Sequence, residues 1–280
     1  MALAQWGLLL TLLAPLKLCG VSAFPPHPGS LDVGEDSYVI KGYSCDNQTL
    51  RISYPTEFDK GPFPIVSYGH GSGGSMPWDL INGVATLGIV VVAPQGWCSD
   101  QWRDMVHALN ASMANASLHP VLSHVDWSHV GFLGHSAGGY AAVTAGAYAH
   151  NISQFVPDAV VASHGADIDG SKYVKSPIMY TSGSGDPRRH KSAEGFANCP
   201  ARPKVFAVLE GGGHMEPEGQ GRLNPFDALF LGCHLQSNSY YVSCARIYGN
   251  GSDSLCNANA MTTCDIDLPG ERKISRILLY

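Results

Sequence analysis

Short apolar runs recur along the chain, and longer segments with a helical pattern of apolar positions lie between them. Several of the runs are continuously apolar rather than alternating, which is typical of strands in a parallel sheet that is covered on both faces. The runs are YVIKGY, LRISYP, PIVSYGHG, GIVVVAPQ, HVGFLGH, AVVASHG, PIMYTSG and KVFAVLEGG. The helical segments are SDQWRDMVHALNASMA, SAGGYAAVTAGAYAH and NPFDALFLGCHLQ. Strands that alternate with helices predict an α/β fold class, with βαβ units and a doubly wound, mostly parallel sheet.

Length and composition favour a folded globule. The chain has 280 residues, of which 45% are hydrophobic and 14% are charged. A single α/β domain of roughly 250 residues is an ordinary size, and no repeat or long linker divides the chain. We therefore expect one domain over residues 24–280, with a core from about 38 to 265. The formal net charge of −6 argues against nucleic-acid binding, which needs a clustered basic face. We expect a monomer.

The N-terminal segment MALAQWGLLLTLLAPLKLCGVSA is typical of a secretory signal peptide. Its apolar stretch, Leu8 to Leu16, is too short to span a bilayer, and Val21-Ser22-Ala23 offers the small-x-small pattern for cleavage before Phe24. The alternative is an uncleaved anchor. No other segment approaches the length of a transmembrane helix. We therefore predict a signal peptide over residues 1–23, a secreted protein and no stable membrane span.

Cysteines and glycosylation sequons agree with export. Of the eight cysteines, Cys19 lies in the signal peptide, which leaves an odd number and so at least one free thiol. A stretch rich in Gly, Ser and Asn carries Cys244, Cys256 and Cys264, where a disulfide would pin a segment of little apolar content. A zinc site would need close CxxC-type pairs, which are absent. Asn-x-Ser/Thr sequons, the acceptors of N-glycans, occur at Asn47, Asn110, Asn115, Asn151 and Asn250.

Ser136 lies in Gly134-His135-Ser136-Ala137-Gly138, between an apolar run that ends at Leu133 and an Ala/Gly-rich helical segment. This is a G-x-S-x-G pattern in the strand–turn–helix context that a nucleophile elbow requires. The sharp turn lifts the hydroxyl clear of the sheet, and only small neighbours fit around it. The N-terminus of the following helix supplies backbone N–H groups and a positive dipole end. We therefore predict that Ser136 is a nucleophile.

A serine is a weak nucleophile unless a base removes its proton, and the predicted base is His214. It follows the run KVFAVLE through three glycines, so it lies at the edge of the sheet where the active sites of open α/β sheets collect. His164, after the run DAVVAS, is the main rival. The predicted acid is Asp186, in the Gly-rich turn after PIMYTSG, where a carboxylate would hold the imidazole tautomer. Asp167 and Asp169 are the alternatives.

The loop in PIVSYGHGSGG is the predicted source of one oxyanion-hole donor. Negative charge that develops on a substrate carbonyl needs N–H donors, one from the residue after the nucleophile and one from a loop after an early strand. We assign these donors to Ala137 and Ser72, with Gly71 as the near alternative. The loop lacks a following Gly-Lys-Ser/Thr and the GxGxxG spacing, which argues against nucleotide binding. We predict no cofactor and no metal ion.

With these residues the sequence resembles an α/β-hydrolase of the group that holds dienelactone hydrolases, chlorophyllases, platelet-activating-factor acetylhydrolases and the polyester (cutinase-like) hydrolases. VDWSHVGFLGHSAGG is similar to the elbow region of the polyester hydrolases, TSGSGDP to their acid loop and LEGGGHMEP to their histidine loop. The resemblance runs from about Tyr38 to Asp265 and implies the α/β-hydrolase fold. Their disulfide-closed C-terminus implies that Cys244 pairs with Cys256 or Cys264.

The predicted function is that of a secreted serine carboxylic ester hydrolase, which acts on a small-molecule or lipid-like ester through a Ser136-His214-Asp186 triad and an acyl-enzyme. One alternative is a chlorophyllase-like plastid esterase, because the elbow matches and VSAFPP resembles a Ser-Ala-Phe motif of plastid targeting. The following LDVGEDS is short and acidic, unlike a transit peptide. The other alternative is a catalytically inactive α/β-hydrolase-fold binding protein. Aromatic residues that would line an acyl cleft are Trp78, Trp97 and Trp102.

Overall fold

The computed structural model describes most of the chain. The described residues are 29–96, 100–236, 240–258, 260–270 and 274–277. The predicted signal peptide, residues 1–23, and the competing plastid-targeting motif lie outside them, as does Trp97. Within the described ranges, no helix is both long and apolar enough to cross a membrane.

Strands and helices alternate through the middle of the chain. The strands are β1 (Val33–Ile40), β2 (Gln48–Pro55), β3 (Phe63–Gly69), β4 (Val90–Gln95), β5 (Val125–His135), β6 (Ala159–Ser163), β7 (Ile178–Gly183), β8 (Lys204–Leu209), β9 (Met261–Asp267) and β10 (Ile274–Ile277). The α-helices are α1 (Trp78–Thr86), α2 (Gln101–Ala114), α3 (Ala137–Tyr148), α4 (Ile168–Ser171), α5 (Arg189–Asn198), α6 (Asn224–Leu235) and α7 (Tyr240–Tyr248). Short 3₁₀ helices cover Phe58–Lys60, Ala116–Leu118, Pro120–His124, Ala149–Asn151, Glu216–Glu218 and Leu255–Asn257.

The described strands form one sheet in the order β1-β2-β4-β3-β5-β6-β7-β8-β9-β10. The central strands β4, β3, β5, β6, β7 and β8 pair in parallel, and the strands at both ends of the sheet pair antiparallel. The predicted α/β class with a mostly parallel sheet is confirmed. Because parallel strands end on the same side, the loops after β3, β5, β6, β7 and β8 share one edge, which we call the carboxyl edge.

Helices cover both faces of the sheet, as a doubly wound arrangement requires. One core cluster joins the sheet to Met105 of α2, Val143 of α3 and Phe196 of α5. The other joins it to Leu80 of α1, Phe226 of α6 and Ile247 of α7. The central strands are buried on both sides, with every residue of β3, β6, β7 and β8 classed as buried. Burial on both faces explains why these strands read as continuous apolar runs.

Two parts of the sheet differ from the sequence prediction. The run YVIKGY predicts a strand that begins at Tyr38, whereas β1 begins at Val33 and includes the exposed Glu35 and Asp36. An edge strand with an exposed face tolerates such charges. The sequence does not predict strands β9 and β10. In β9 only three side chains are buried, those of Met261, Cys264 and Ile266, so the strand has no continuous apolar run.

The disulfide pairing implied by the resemblance is wrong. Cys244 bonds to Cys233, with a Cα–Cα distance of 4.8 Å, and Cys256 bonds to Cys264, with a Cα–Cα distance of 5.4 Å. Cys233 lies on α6 and Cys244 on the adjoining α7. The packing of these two helices places the two cysteines side by side, whereas Cys264 lies on β9. Cys45 is also disulfide-bonded. Among the described residues, Cys199 is a free and buried cysteine.

Peptide mapping distinguishes the two pairings, because Arg246 lies between the two bridges in the sequence. After blocking of free thiols and tryptic digestion without reduction, we expect two separate peptides, 223–246 and 247–272, each with its own internal disulfide. Mass spectrometry should show each peptide alone, heavier by two hydrogens after reduction. A covalently joined pair of these peptides would instead support the Cys244–Cys256 or Cys244–Cys264 bond.

Candidate active site

Ser136 occupies a sharp turn between β5 and α3. Its backbone has φ 58° and ψ −115°, a conformation that costs free energy for a residue with a side chain and that clusters at functional sites. Hydrogen bonds hold the turn, since Ser136 N–H donates to the Ser163 carbonyl at 2.9 Å and Tyr140 N–H donates to the Ser136 carbonyl at 3.1 Å. His164, at the end of the neighbouring β6, also has a positive φ of 54°. The strain is therefore concentrated at the carboxyl edge.

The two glycines of the elbow are required by close backbone contacts. A Cβ atom on Gly134 would overlap the Gly138 carbonyl, and a Cβ on Gly138 would overlap the Gly69 carbonyl at the end of β3. Neither neighbour can move without displacing backbone. The G-x-S-x-G spacing therefore reflects how tightly β5, α3 and β3 meet around Ser136.

Three sequence-predicted residues meet at the carboxyl edge. Ser136 Oγ lies 2.8 Å from His214 Nε2, and His214 Nδ1 lies 3.1 Å from Asp186 Oδ1. Ser136 follows β5, His214 follows β8 and Asp186 follows β7. With the Nδ1 proton held by the Asp186 carboxylate, Nε2 is left with its lone pair facing the Ser136 hydroxyl. This arrangement allows His214 to accept a proton from Ser136.

The Asp186 carboxylate is fixed in place. Its side chain is 0% exposed, whereas the His214 side chain is 20% exposed. Asp186 Oδ2 accepts a hydrogen bond from Ser182 Oγ at 3.2 Å, and Oδ1 accepts one from Arg188 N–H at 2.8 Å. Buried carboxylates need such partners. Because these bonds leave Asp186 little freedom, it orients the His214 ring.

The alternative acids lie elsewhere. Asp167 is buried, but its Oδ2 accepts a hydrogen bond from Thr144 Oγ1 of α3 at 2.8 Å. Asp169 is exposed and pairs with Lys172 at 2.7 Å. Neither contacts His214 within the described part of the chain. The rival base, His164, is completely buried, and its Nδ1 lies 3.2 Å from Ser163 Oγ.

Two further histidines, His135 and His164, lie next to His214. The His135 ring centroid lies 5.3 Å from that of His214, and the His164 centroid lies 6.3 Å from it. His135 Nε2 lies 2.8 Å from the His214 carbonyl, and its Nδ1 lies 3.1 Å from Glu218 Oε1. Burial lowers the pKa of His135, and it lowers the pKa of His164 to about 3. Both rings are therefore neutral near pH 7, and neither adds a positive charge beside His214.

A series of buried hydrogen-bonding side chains leads from His164 into the core. Thr181 Oγ1 lies 3.2 Å from Asp227 Oδ1 and 3.2 Å from Ser163 Oγ, which contacts His164. Burial raises the pKa of Asp227 to about 8. The side chain is therefore mainly protonated at neutral pH, which spares the core an uncompensated negative charge. The sequence did not single out Asp227, because it lies within an apolar helical pattern.

Ala137 and the loop that contains Ser72, the two predicted sources of oxyanion-hole donors, both adjoin Ser136. Ala137 is the first residue of α3, so its N–H lies at a helix N-terminus. The Gly71 carbonyl accepts from Gly74 N–H at 2.9 Å and lies 2.8 Å from His70 Nδ1, which fixes the Gly71–Ser72 peptide. A Cβ on Gly71 would lie 3.4 Å from Ser136 Cβ. The loop that carries the Ser72 N–H therefore packs directly against the elbow.

No protein-family model and no curated protein matches the chain. Among the described residues, no group of three His, Cys, Asp or Glu side chains could hold a metal ion.

Arg188 contacts Ser136, the predicted nucleophile, and the sequence did not predict this contact. Its Nη1 lies 3.1 Å from Ser136 Oγ and 3.4 Å from His214 Nε2. The only signal in the sequence is its position two residues after Asp186, within DPRRHK. A cationic group therefore lies within hydrogen-bond distance of the Ser136 hydroxyl.

A cleft of about 270 Å³ opens beside Ala137. Its lining includes Gln101, Trp102 and Tyr140, and the Gln101 side chain donates from Nε2 to the His70 carbonyl at 2.6 Å. Of the tryptophans predicted to line an acyl cleft, Trp102 lines this one, together with Ala137. Trp78 is not part of this cleft, because its ring packs under the Arg51 guanidinium at 4.6 Å.

Proposed function

We propose that the protein is a serine carboxylic ester hydrolase with an α/β-hydrolase fold. The observation that carries the proposal is the continuous chain from Ser136 Oγ to His214 at 2.8 Å and on to Asp186 at 3.1 Å. These are hydrogen-bond distances between a nucleophile, a base and an orienting acid, drawn from three separate loops. The strained elbow after a central parallel strand, with helices on both faces, supports the fold assignment.

The first half of the reaction forms an acyl-enzyme. His214 Nε2 accepts the Ser136 hydroxyl proton as Oγ attacks the ester carbonyl carbon. The carbonyl oxygen becomes an oxyanion, to which the N–H groups of Ala137 and Ser72 donate. The buried Asp186 carboxylate stabilises the imidazolium. His214 then gives its proton to the departing alkoxide, and the alcohol leaves.

The second half regenerates the enzyme by the same groups. A water molecule takes the place of the alcohol, and His214 accepts its proton as the water oxygen attacks the acyl carbon. The tetrahedral intermediate collapses, the carboxylic acid departs and Ser136 recovers its proton from His214. The residues present are sufficient for both halves without a cofactor.

We also propose that the protein is exported. Two disulfides in the C-terminal part, Cys233–Cys244 and Cys256–Cys264, favour an oxidising compartment. The sequon residues Asn47, Asn115, Asn151 and Asn250 are exposed, as acceptors of a glycan must be.

Hydrolysis of p-nitrophenyl acetate, butyrate and octanoate by the purified protein tests the proposed activity. We expect saturable release of p-nitrophenolate with an early burst, because p-nitrophenolate is a good leaving group and acylation should be faster than deacylation. The dependence on acyl length will show how much of the chain the cleft holds. Failure to turn over any of the three esters, by protein with a cooperative unfolding transition, would reject the proposal.

A further inference from the structure

The Arg188 side chain is anchored at its base and extends over the reacting groups. Its backbone N–H donates to Asp186, which fixes the start of the side chain. Its guanidinium reaches Ser136 Oγ at 3.1 Å, although the residue as a whole is exposed. A substrate carbonyl must come close to the same oxygen. The guanidinium therefore has to shift when an ester binds, and it remains within reach of the bound molecule.

Within the part of the chain that the structure describes, no carboxylate forms an ion pair with Arg188. The ion pairs among the described residues include none formed by Arg188, Arg189, His190 or Lys191. All four are exposed, and they form a basic sequence cluster in a chain with a formal net charge of −6. Arg189 donates from Nη1 to the Ser184 carbonyl at 3.3 Å, so it is turned toward a neighbouring loop. Arg188 is thus the member of the cluster that faces the nucleophile.

The chemistry of the guanidinium selects an anionic group on the substrate. A bound neutral ester displaces the Arg188 guanidinium from Ser136 Oγ. The guanidinium then loses that hydrogen bond and gains only hydrogen bonds to water. An ionised carboxylate would replace the lost bond with two charge-assisted hydrogen bonds, because the planar guanidinium matches a planar carboxylate. The partial enclosure of the site, with Ser136 buried and the His214 side chain 20% exposed, strengthens such a contact relative to bulk water.

We propose, on the basis of the function proposed above, that the preferred substrates are esters with a second, ionised carboxylate a few bonds from the scissile carbonyl. Monoesters of short dicarboxylic acids have this chemistry. Arg188 binds the free carboxylate and holds the ester carbonyl against Ser136. Arg188 is therefore a specificity-determining residue that contacts the substrate.

A matched series of esters tests the proposal. Monoethyl succinate, glutarate and adipate are compared with ethyl butanoate, pentanoate and hexanoate, and released ethanol is measured by gas chromatography. At the best chain length we expect kcat/KM to be higher for the anionic member of the pair. Arg188→Gln should lower this anionic-to-neutral ratio of kcat/KM by about 10- to 100-fold, the range for loss of a charge-assisted hydrogen bond. Most of the change should come from a higher KM for the anionic ester. Arg188→Lys should restore part of the ratio.

Arg189→Gln is the matched control, since it removes an adjacent positive charge that does not face Ser136, and the ratio should stay as in the wild type. Added sodium chloride should lower the wild-type ratio, because a partly exposed charge pair is screened. An equal loss on both esters in Arg188→Gln would overturn the proposal and assign Arg188 to transition-state stabilisation common to all esters. A wild-type ratio near one at every chain length would also overturn it, while turnover of p-nitrophenyl butyrate would keep the proposed function. Failure on every ester would remove both proposals together.

Discussion

Replacing Ser136 with alanine is expected to abolish ester hydrolysis, with kcat on p-nitrophenyl butyrate lower by about 10⁴-fold or more. The change removes the oxygen that lies 2.8 Å from His214 Nε2 and leaves no other hydroxyl in its place. The Cβ atom stays, so the elbow keeps its shape and its backbone hydrogen bonds. Activity is measured by p-nitrophenolate release after correction for the spontaneous reaction.

Ser123→Ala is the matched control for this loss, because Ser123 is exposed and its hydroxyl bonds only to the Pro120 carbonyl among the contacts described. It should retain wild-type kcat. Circular dichroism and the unfolding midpoint should be close to wild type for both variants. Wild-type turnover by folded Ser136→Ala protein would show that another residue is the nucleophile.

Replacing Asp186 with asparagine should lower kcat by about 10³- to 10⁴-fold while the fold is kept. The amide can turn its N–H toward His214 Nδ1, which then accepts instead of donating. The proton moves to Nε2 in that tautomer, so His214 can no longer take the proton of Ser136. The loss should lie in kcat more than in KM, since Asp186 is fully buried and does not touch the substrate.

Asp167→Asn provides the comparison, because Asp167 is also a buried acid after a neighbouring strand but bonds to Thr144 instead of His214. It should change kcat little, whatever its effect on the unfolding midpoint. The reverse pattern, with activity lost in Asp167→Asn and kept in Asp186→Asn, would contradict the assignment of the acid.

The three residues of the proposed triad could be brought together from sequence for a topological reason. Ser136, Asp186 and His214 each follow an apolar run, and Gly-rich turns lie close to each of them. In a parallel sheet the ends of such runs share an edge, so residues far apart in sequence meet without any knowledge of side-chain packing. The structure separates the predicted acid from its two alternatives, because His214 contacts Asp186 and not Asp167 or Asp169.

Other features depend on packing that no local pattern records. The contact of Arg188 with Ser136 depends on the path of a long, exposed side chain. The burial of His135 and Asp227 depends on which helix covers which face of the sheet. The Cys233–Cys244 bond depends on how α6 and α7 pack against each other, and the resemblance to α/β-hydrolases implies a different partner for Cys244. Strand β9 was missed because it pairs antiparallel near the edge and lacks a continuous apolar run.

In the proposed enzyme, the His214–Asp186 pair makes one serine hydroxyl reactive. Labelling with a fluorophosphonate, followed by intact-mass measurement and peptide sequencing, tests it most directly. We predict a single covalent adduct per chain, located on Ser136, that forms rapidly in the wild type and is absent from Ser136→Ala. An adduct on a different residue, or no adduct on folded wild-type protein, would contradict the account.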